Sequence, residues 1–148
     1  MGNRQVVERY ARALGEHDAD AMDAVRHEDY EGRYPQSGEV VRGRAKARAL
    51  EEAFSSAAEG PDTVILDRIV GADDQFIPGP SWNIIHLSGS GDDFTMAGTI
   101  TYRNGETWHA VALLTFREGK IWREVGYFAA PFERPDWRVP FTELETQG

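Results

Sequence analysis

Residues 107–129 read TWHAVALLTFREGKIWREVGYFA, and this stretch decides the fold. Apolar side chains recur with a period of two over Thr107–Phe116 and again over Ile121–Ala129, which is typical of half-buried strands. Between the two runs lies Arg117-Glu118-Gly119-Lys120, where the glycine can adopt the positive φ of a tight turn. We therefore predict two antiparallel strands joined by a hairpin.

The same period predicts three further strands towards the N-terminus. They are Thr63–Val70, Trp82–Ser88 and Phe94–Tyr102. Gly89-Ser90-Gly91 and Arg103-Asn104-Gly105-Glu106 have the composition of hairpin turns. Gly71 to Pro80 is predicted to be a loop, because its prolines interrupt any strand there.

The first 25 residues show a helical period instead. One helical face carries the apolar residues Val6, Val7, Tyr10, Ala11 and Leu14. Asn3 can cap the start of this helix and Gly15 can end it. Asp18 is the predicted N-cap of a second helix that runs through Val25.

A short strand and a third helix complete the N-terminal half. Tyr30–Tyr34 alternates between faces and stops at Pro35, as a strand would. From Gly43 to about Phe54 an alanine-rich segment predicts a helix anchored by Leu50 and Phe54. Helices followed by a run of antiparallel strands indicate an α+β fold with helices on one face of a sheet, and nothing divides residues 1–148 into two domains.

Composition excludes several classes of protein. The chain has 148 residues, a formal net charge of −9 and no cysteine, so we expect no disulfide framework and no thiolate chemistry. An acidic surface repels phosphate backbones, so we predict no nucleic-acid partner. No apolar run resembles a signal peptide or a membrane span, so we predict a cytoplasmic protein without a membrane partner.

Three predicted strands have small residues in the middle of one face. These are Gly98, Ala110, Ala112 and Gly126, and they leave that face unfilled. A hollow with aromatic walls suits a small hydrophobic ligand; alternatively, the first and third helices fill the space. The predicted ligand-binding residues are Tyr30, Phe54, Met96, Ile100, Trp108, Ala112, Leu114, Trp122, Gly126 and Phe128.

Glu124 is the polar residue that stands out on this face. The period of two places it between Trp122 and Gly126, with Phe128 beyond. A carboxyl group among aromatic rings can serve as a proton shuttle. It can equally be a structural carboxylate, satisfied by an arginine such as Arg103 or by tyrosine hydroxyls.

Four segments together carry a resemblance to a known superfamily. They are Val6–Leu14 followed by His17-Asp18, Tyr34–Gly38 with Gly43-Arg44, Phe116–Ile121, and Tyr127–Phe132 with Pro135–Arg138. In this order they resemble the NTF2-like superfamily, which is also called SnoaL-like or ketosteroid-isomerase-like. The resemblance implies a cone: a strongly curved antiparallel sheet packed on three N-terminal helices.

The resemblance also implies an assembly. Family members commonly form homodimers through the outer face of the sheet, and this chain has an apolar second face. Its predicted members are Val111, Leu113, Ile121, Val125 and Tyr127. Residues 131–148 are predicted to form an ordered tail that packs on another surface, such as a partner subunit.

Tyr10 falls where ketosteroid isomerases have the tyrosine of their oxyanion hole. In that family the tyrosine works with a strand carboxylic acid and a separate aspartate base. Here the corresponding positions are Ala112 and Tyr34, so ketosteroid isomerisation by that mechanism is not expected. Limonene-epoxide-hydrolase-like members use an Asp–Arg–Asp set, and no such set can be assembled on the pocket-facing positions.

These observations lead to one principal hypothesis. We predict proton-transfer chemistry on a small apolar carbonyl compound, with Glu124 as acid/base and Tyr10 or Tyr34 as hydrogen-bond donor to an oxyanion. SnoaL-like cyclases resemble this scheme, with an aspartate in the same kind of pocket. The alternatives are a ligand-binding protein without catalysis and a dimeric interaction module. His27-Glu28-Asp29 cannot converge on one metal ion, and we predict neither a metal nor a cofactor.

Overall fold

The computed structural model describes residues 1–59, 82–101 and 106–145, which form an α+β fold with a curved, unclosed sheet. The predicted strand Thr63–Val70, the loop 71–80, and residues 102–105 lie outside the described residues. The elements are α1 (Asn3–Glu16), α2 (Ala19–Val25), β1 (Arg26–Tyr34), β2 (Glu39–Arg42), α3 (Arg44–Glu59), β3 (Trp82–Ser90), β4 (Asp93–Thr101), β5 (Thr107–Arg117), β6 (Lys120–Ala129) and a 3-10 helix (Asp136–Phe141). None of the helices in these ranges is long and apolar enough to cross a membrane.

The described strands form one six-stranded sheet in the order β2-β1-β6-β5-β4-β3. The β3-β4-β5-β6 ladders are antiparallel, as predicted, whereas β1 lies parallel to β6. β1 begins at Arg26, four residues earlier than expected, and β2 was not predicted. The β1–β6 ladder is irregular between Arg26 and Glu31, so no simple alternation marks the start of β1.

The helix starts and ends differ in detail from prediction. Gly2 is the N-cap of α1, and the Asn3 side chain instead donates a hydrogen bond of 2.8 Å to the carbonyl of Gly91. Gly15 is buried inside the helix, which ends where His17 adopts a φ of 55°. Asp18 caps α2 as predicted, accepting from the Ala21 N–H at 3.0 Å.

The core lies between the helices and the inner face of the sheet. Val7, Tyr10 and Met22 from the helices meet the inner residues of β4 and β5 there. α3 was expected to be anchored by Leu50, but Leu50 is 37% exposed and Ala47 is the buried residue. Ala47 therefore anchors the first half of α3; the side chain of Phe54 lies outside the described residues.

A β-bulge overturns one predicted face. On β5 the consecutive residues Thr115 and Phe116 pair with Arg123 and Ile121, which leaves Trp122 as an extra residue on β6. Ile121 consequently turns inward and is fully buried, although alternation had placed it on the outer face. Trp122 does not share the inner face of Glu124; its ring lies 4.0 Å from the exposed guanidinium of Arg123.

Both predicted hairpins that fall on described residues are present, but Gly89 and Ser90 of the predicted turn Gly89-Ser90-Gly91 belong to β3. Glu118 and Gly119 join β5 to β6 with φ of 55° and 76°, the two positive values of a type I′ turn. Gly91-Asp92 joins β3 to β4, and Gly91 has a φ of 62°. Gly89, just before this turn, has a φ of 126°.

We expect Gly89→Ala to destabilise the protein by roughly 3 kcal/mol, because strained backbone and a steric clash combine. A Cβ at this position would lie 2.2 Å from the carbonyl oxygen of Asp93. Gly91→Ala is the matched control, since a Cβ there meets nothing within 4 Å and only the left-handed conformation costs about 1 kcal/mol. Urea unfolding of both variants measures the difference, and equal losses would contradict the clash.

Candidate functional site

Glu124 lies in the middle of β6, between Leu114 of β5 and Gly32 of β1. Its oxygen Oε1 accepts two hydrogen bonds from phenol hydroxyls, one from Tyr10 of α1 at 2.5 Å and one from Tyr30 of β1 at 2.8 Å. No hydrogen bond reaches Oε2 from the residues that the structure describes. The carboxylate therefore joins three elements through one oxygen and keeps the second for another partner.

The two phenols are core residues. Tyr10 is fully buried and Tyr30 is 4% exposed. Burial raises the pKa of both hydroxyls well above 10.0, and the charge of Glu124 raises each pKa further, while Arg26 lowers it. Both hydroxyls consequently stay protonated and act as donors to Glu124.

Gly32 makes room for this arrangement. A Cβ on Gly32 would lie 2.9 Å from the hydroxyl oxygen of Tyr30, so the tyrosine ring occupies the space of the missing side chain. Gly32 also pairs directly with Glu124 across the β1–β6 ladder.

Glu124, Tyr10 and Tyr30 form a cluster, and Arg26 is its fourth member. It is only 5% exposed, and its Nη2 donates a hydrogen bond of 2.7 Å to the hydroxyl oxygen of Tyr10. The guanidinium carbon lies 4.6 Å from the ring centroid of Tyr30 and 5.3 Å from that of Tyr10, so both rings contact the cation. Because Arg26 donates to Tyr10, the hydroxyl proton of Tyr10 must point to Glu124.

Arg26 stays charged in this setting. Burial works to lower the pKa of the guanidinium, but the oxygens of Tyr10, Tyr30 and Glu124 outweigh burial and raise it. Nε of Arg26 is buried, and no residue in the described part of the chain forms a hydrogen bond with it. The charge of Arg26 is thus satisfied mainly by electron-rich rings, one phenol and the nearby carboxylate.

Glu51 on α3 brings a second carboxyl group to the cluster. Burial raises the pKa of Glu51, with Arg26 acting in the opposite sense and Glu124 adding to the rise. The charges of Arg26 and Glu124 therefore both act on Glu51.

Tyr34, Gly126 and Phe128 lie together further along the same face. The rings of Tyr34 and Phe128 are 6.2 Å apart between centroids. A Cβ on Gly126 would be 3.3 Å from the Phe128 ring and 3.9 Å from that of Tyr34. Both aromatic side chains are half-buried, so they form the more accessible end of the site.

The other predicted lining residues separate into two groups. Tyr30, Met96, Ile100, Trp108, Ala112 and Leu114 are all buried on the inner face, and several pack within the hydrophobic core. Trp122 is not brought to the site, because the bulge turns it away. The role of the first group in ligand binding remains a prediction, as does that of Phe54.

The sequence profile of the SnoaL-like domain matches residues 7–124 of the chain. The protein belongs to the SnoaL-like family. Its structure resembles an NTF-2 like protein of unknown function from Burkholderia xenovorans, with 26% identity, a TM-score of 0.71 and coverage of 97% of this chain and 95% of that one. No curated protein matches the sequence.

Two further solved structures share the fold of this SnoaL-like protein. A candidate ketosteroid isomerase from Kribbella flavida is 19% identical, with a TM-score of 0.74 over 98% of this chain and 90% of that one. A candidate polyketide cyclase from Sinorhizobium meliloti is 16% identical, with a TM-score of 0.60 over 82% and 93% of the two chains. At these identities the likeness shows the fold, and the NTF2-like superfamily assignment is confirmed.

We expect Glu51→Gln to stabilise the protein near neutral pH. A raised folded-state pKa means that the native protein binds this proton more tightly than the unfolded chain does. Wild-type stability then falls as pH rises from the ordinary value of 4.5 through the folded-state pKa of Glu51, and glutamine avoids that loss. Below pH 4.5 the glutamate is protonated in both states, so the advantage of the variant should vanish.

Chemical unfolding of wild type and Glu51→Gln across pH measures this difference. Glu52→Gln is the control, because Glu52 is the next residue on α3 but is exposed and paired with Arg48 at 2.9 Å. The Glu52→Gln variant should have no higher free energy of unfolding than the wild type at any pH. A Glu51→Gln variant that is less stable than wild type at neutral pH would show that the charge of Glu51 supports the fold.

Proposed function

We propose that this SnoaL-like protein binds a small, mainly apolar carbonyl compound and transfers a proton on it, with Glu124 as the base. The observation that carries the proposal is the asymmetry of the Glu124 carboxylate. Tyr10 and Tyr30 fix Oε1, and Oε2 has no hydrogen-bond partner among the described residues. A base needs this combination of a fixed orientation and one oxygen able to accept a proton.

The geometry changes the role proposed for Tyr10. Its single proton is donated to Glu124, and its oxygen accepts from Arg26, so it orients the base and does not meet an oxyanion. Tyr34, beside Gly126 at the more accessible end, is the better candidate for the donor to a developing oxyanion.

Glu51 supplies the second proton site that such a reaction uses. Burial raises the pKa of Glu51, which favours its protonated form. In the proposed step Glu124 removes a proton from the carbon next to a carbonyl, and the electrons of the C–H bond form an enolate. A group with a raised pKa can then donate a proton to the enolate, as two carboxyl groups in different environments do in acid–base enzymes.

Two structural neighbours support an enzymatic function by their names alone, a candidate ketosteroid isomerase and a candidate polyketide cyclase. Those names belong to these two proteins. For the present chain the proposed reaction type, proton transfer, rests on the Glu124 cluster. The identity of the ligand determines whether the product is an isomer, a cyclised compound or a dehydrated compound.

The Kemp elimination of 5-nitrobenzisoxazole tests Glu124 as a base without knowledge of the natural ligand. A carboxylate removes the ring C–H proton, the N–O bond breaks, and a coloured cyanonitrophenolate forms. We expect saturable turnover by the wild type, and Glu124→Gln should lower kcat by at least about 100-fold, the usual contribution of a positioned base. Glu28→Gln changes an exposed glutamate of β1 and should leave the rate unchanged.

Each outcome of this assay has a definite meaning. A folded Glu124→Gln variant with wild-type turnover would overturn the assignment of the base. If glutamine unfolds the protein, Glu124→Asp retains the charge but withdraws it from the phenols, and a lowered rate in that folded variant supports the assignment. Saturable binding of the probe without any turnover would instead favour a ligand-binding protein without catalysis.

A further inference from the structure

The turn that joins β1 to β2, residues 35–38, is ordered by hydrogen bonds of its own. The carbonyl of Tyr34 accepts from the backbone N–H of Ser37 at 3.1 Å and from that of Gly38 at 2.9 Å. The Ser37 hydroxyl donates to the same carbonyl at 3.3 Å. Gly38 has a φ of 79°, in the left-handed region that favours glycine. The turn therefore holds a defined conformation and presents Gln36 near its tip.

The ladder between β1 and β6 ends before this turn. Its last described pair joins Arg33 to Val125. Pro35 follows β1 directly, and proline has no backbone N–H with which to continue a ladder. β6 nevertheless runs on to Ala129, with β5 paired along its other side. Beyond Val125, none of the described strands pairs with the edge of β6 that faces β1.

The side chain of Gln36 takes the place of the missing strand. Its oxygen Oε1 accepts a hydrogen bond of 2.5 Å from the backbone N–H of Phe128. A backbone N–H can only donate, so this contact also orients the amide group of Gln36, with its oxygen towards β6. The Gln36–Phe128 contact thus ties the β1–β2 turn to the last part of β6.

Phe128 belongs to the more accessible end of the Glu124 site. Its ring covers Gly126, because a Cβ there would lie 3.3 Å from that ring. The Tyr34 ring is 6.2 Å away between centroids. Tyr34 is the last residue of β1, and Phe128 lies near the end of β6, so the two rings stand on the two elements that Gln36 joins. The spacing of these rings consequently depends on the Gln36–Phe128 contact.

We propose that Gln36 is a positioning residue that sets the affinity of the Glu124 site for its ligand. The inference rests on the proposed function, because it takes the Glu124 site as the place where the ligand binds. Gln36 holds Phe128 beside Tyr34 and so fixes the aromatic wall that a small apolar ligand contacts. It does not act on the base, since two other tyrosines orient Glu124 through separate hydrogen bonds.

The kinetics of 5-nitrobenzisoxazole turnover separate affinity from proton transfer. We expect Gln36→Ala to raise KM roughly fivefold, the factor that corresponds to the loss of one hydrogen bond, and to leave kcat unchanged. Gln36→Glu keeps an acceptor oxygen at the same reach and should have the KM of the wild type. Gln36→Met has a similar length but no carbonyl, so it should behave as Gln36→Ala does.

Ser37→Ala is the matched control. The Ser37 side chain lies on the same turn, but its recorded hydrogen bonds stay within residues 34–39, so both kinetic constants should be those of the wild type. Hydrogen exchange of the Phe128 amide measures the contact without any ligand. Exchange should become faster in Gln36→Ala and Gln36→Met and remain slow in Gln36→Glu and Ser37→Ala.

The outcomes distinguish this proposal from the assignment of Glu124 as the base. An unchanged KM in Gln36→Ala, an unchanged exchange rate of the Phe128 amide, or a Gln36→Glu variant that behaves as alanine would each overturn the role of Gln36. If the wild type binds the probe without turnover, a dissociation constant that rises in Gln36→Ala supports Gln36, and only the base assignment fails. A wild type that does not bind the probe would contradict both proposals.

Discussion

Two phenol hydroxyls share one carboxylate oxygen where α1, β1 and β6 meet, and much of the molecule is arranged around that contact. Tyr10, Tyr30 and Glu124 come from three separate elements, so their hydrogen bonds fix the first helix against the sheet. Hydrogen bonds to a charged group contribute about 1.5–3 kcal/mol each, and here both donors are buried tyrosines. The Tyr30 ring fills the space that a side chain at Gly32 would need.

Arg26 explains why a carboxylate can be kept in this position. A partly buried carboxylate without a counter-charge would be costly, but the guanidinium of Arg26, which contacts both tyrosine rings, supplies the opposite charge. The same cation orients the hydroxyl of Tyr10 towards Glu124. Structural and chemical roles therefore fall on different atoms of one side chain: Oε1 belongs to the fold, and Oε2 is the atom on which the proposed chemistry depends.

Periodicity was sufficient for the strands β3 to β6 and for the choice of Glu124. The three ladders that join β3, β4, β5 and β6, both hairpins on described residues and the inward direction of Glu124 all follow from alternation and glycine position. Alternation failed at Trp122 and Ile121, because one extra residue in β6 reverses the faces beyond it. It failed at Arg26 for the same kind of reason, since the β1–β6 ladder is irregular there.

The sequence also did not predict which side chains, distant along the chain, contact Glu124. Tyrosine hydroxyls were among the predicted partners of Glu124, and the structure identifies them as Tyr10 and Tyr30. Arg26 and Glu51 were not predicted, because a charged residue at a helix–strand junction or on an alanine-rich helix has the pattern of a solvated surface. The pairing of β1 with β6 brings Arg26 towards Glu124, and the packing of α3 on the sheet brings Glu51.

Proton NMR of the hydroxyl protons tests the shared-oxygen contact most directly. Hydrogen bonds of 2.5 and 2.8 Å from buried phenols to a carboxylate should give two slowly exchanging resonances downfield of the backbone amides. Tyr10→Phe should remove one, Tyr30→Phe the other, and Glu124→Gln should shift both upfield. Resonances that persist unchanged in the Glu124→Gln variant would contradict the account, because the phenols would then be bonded elsewhere.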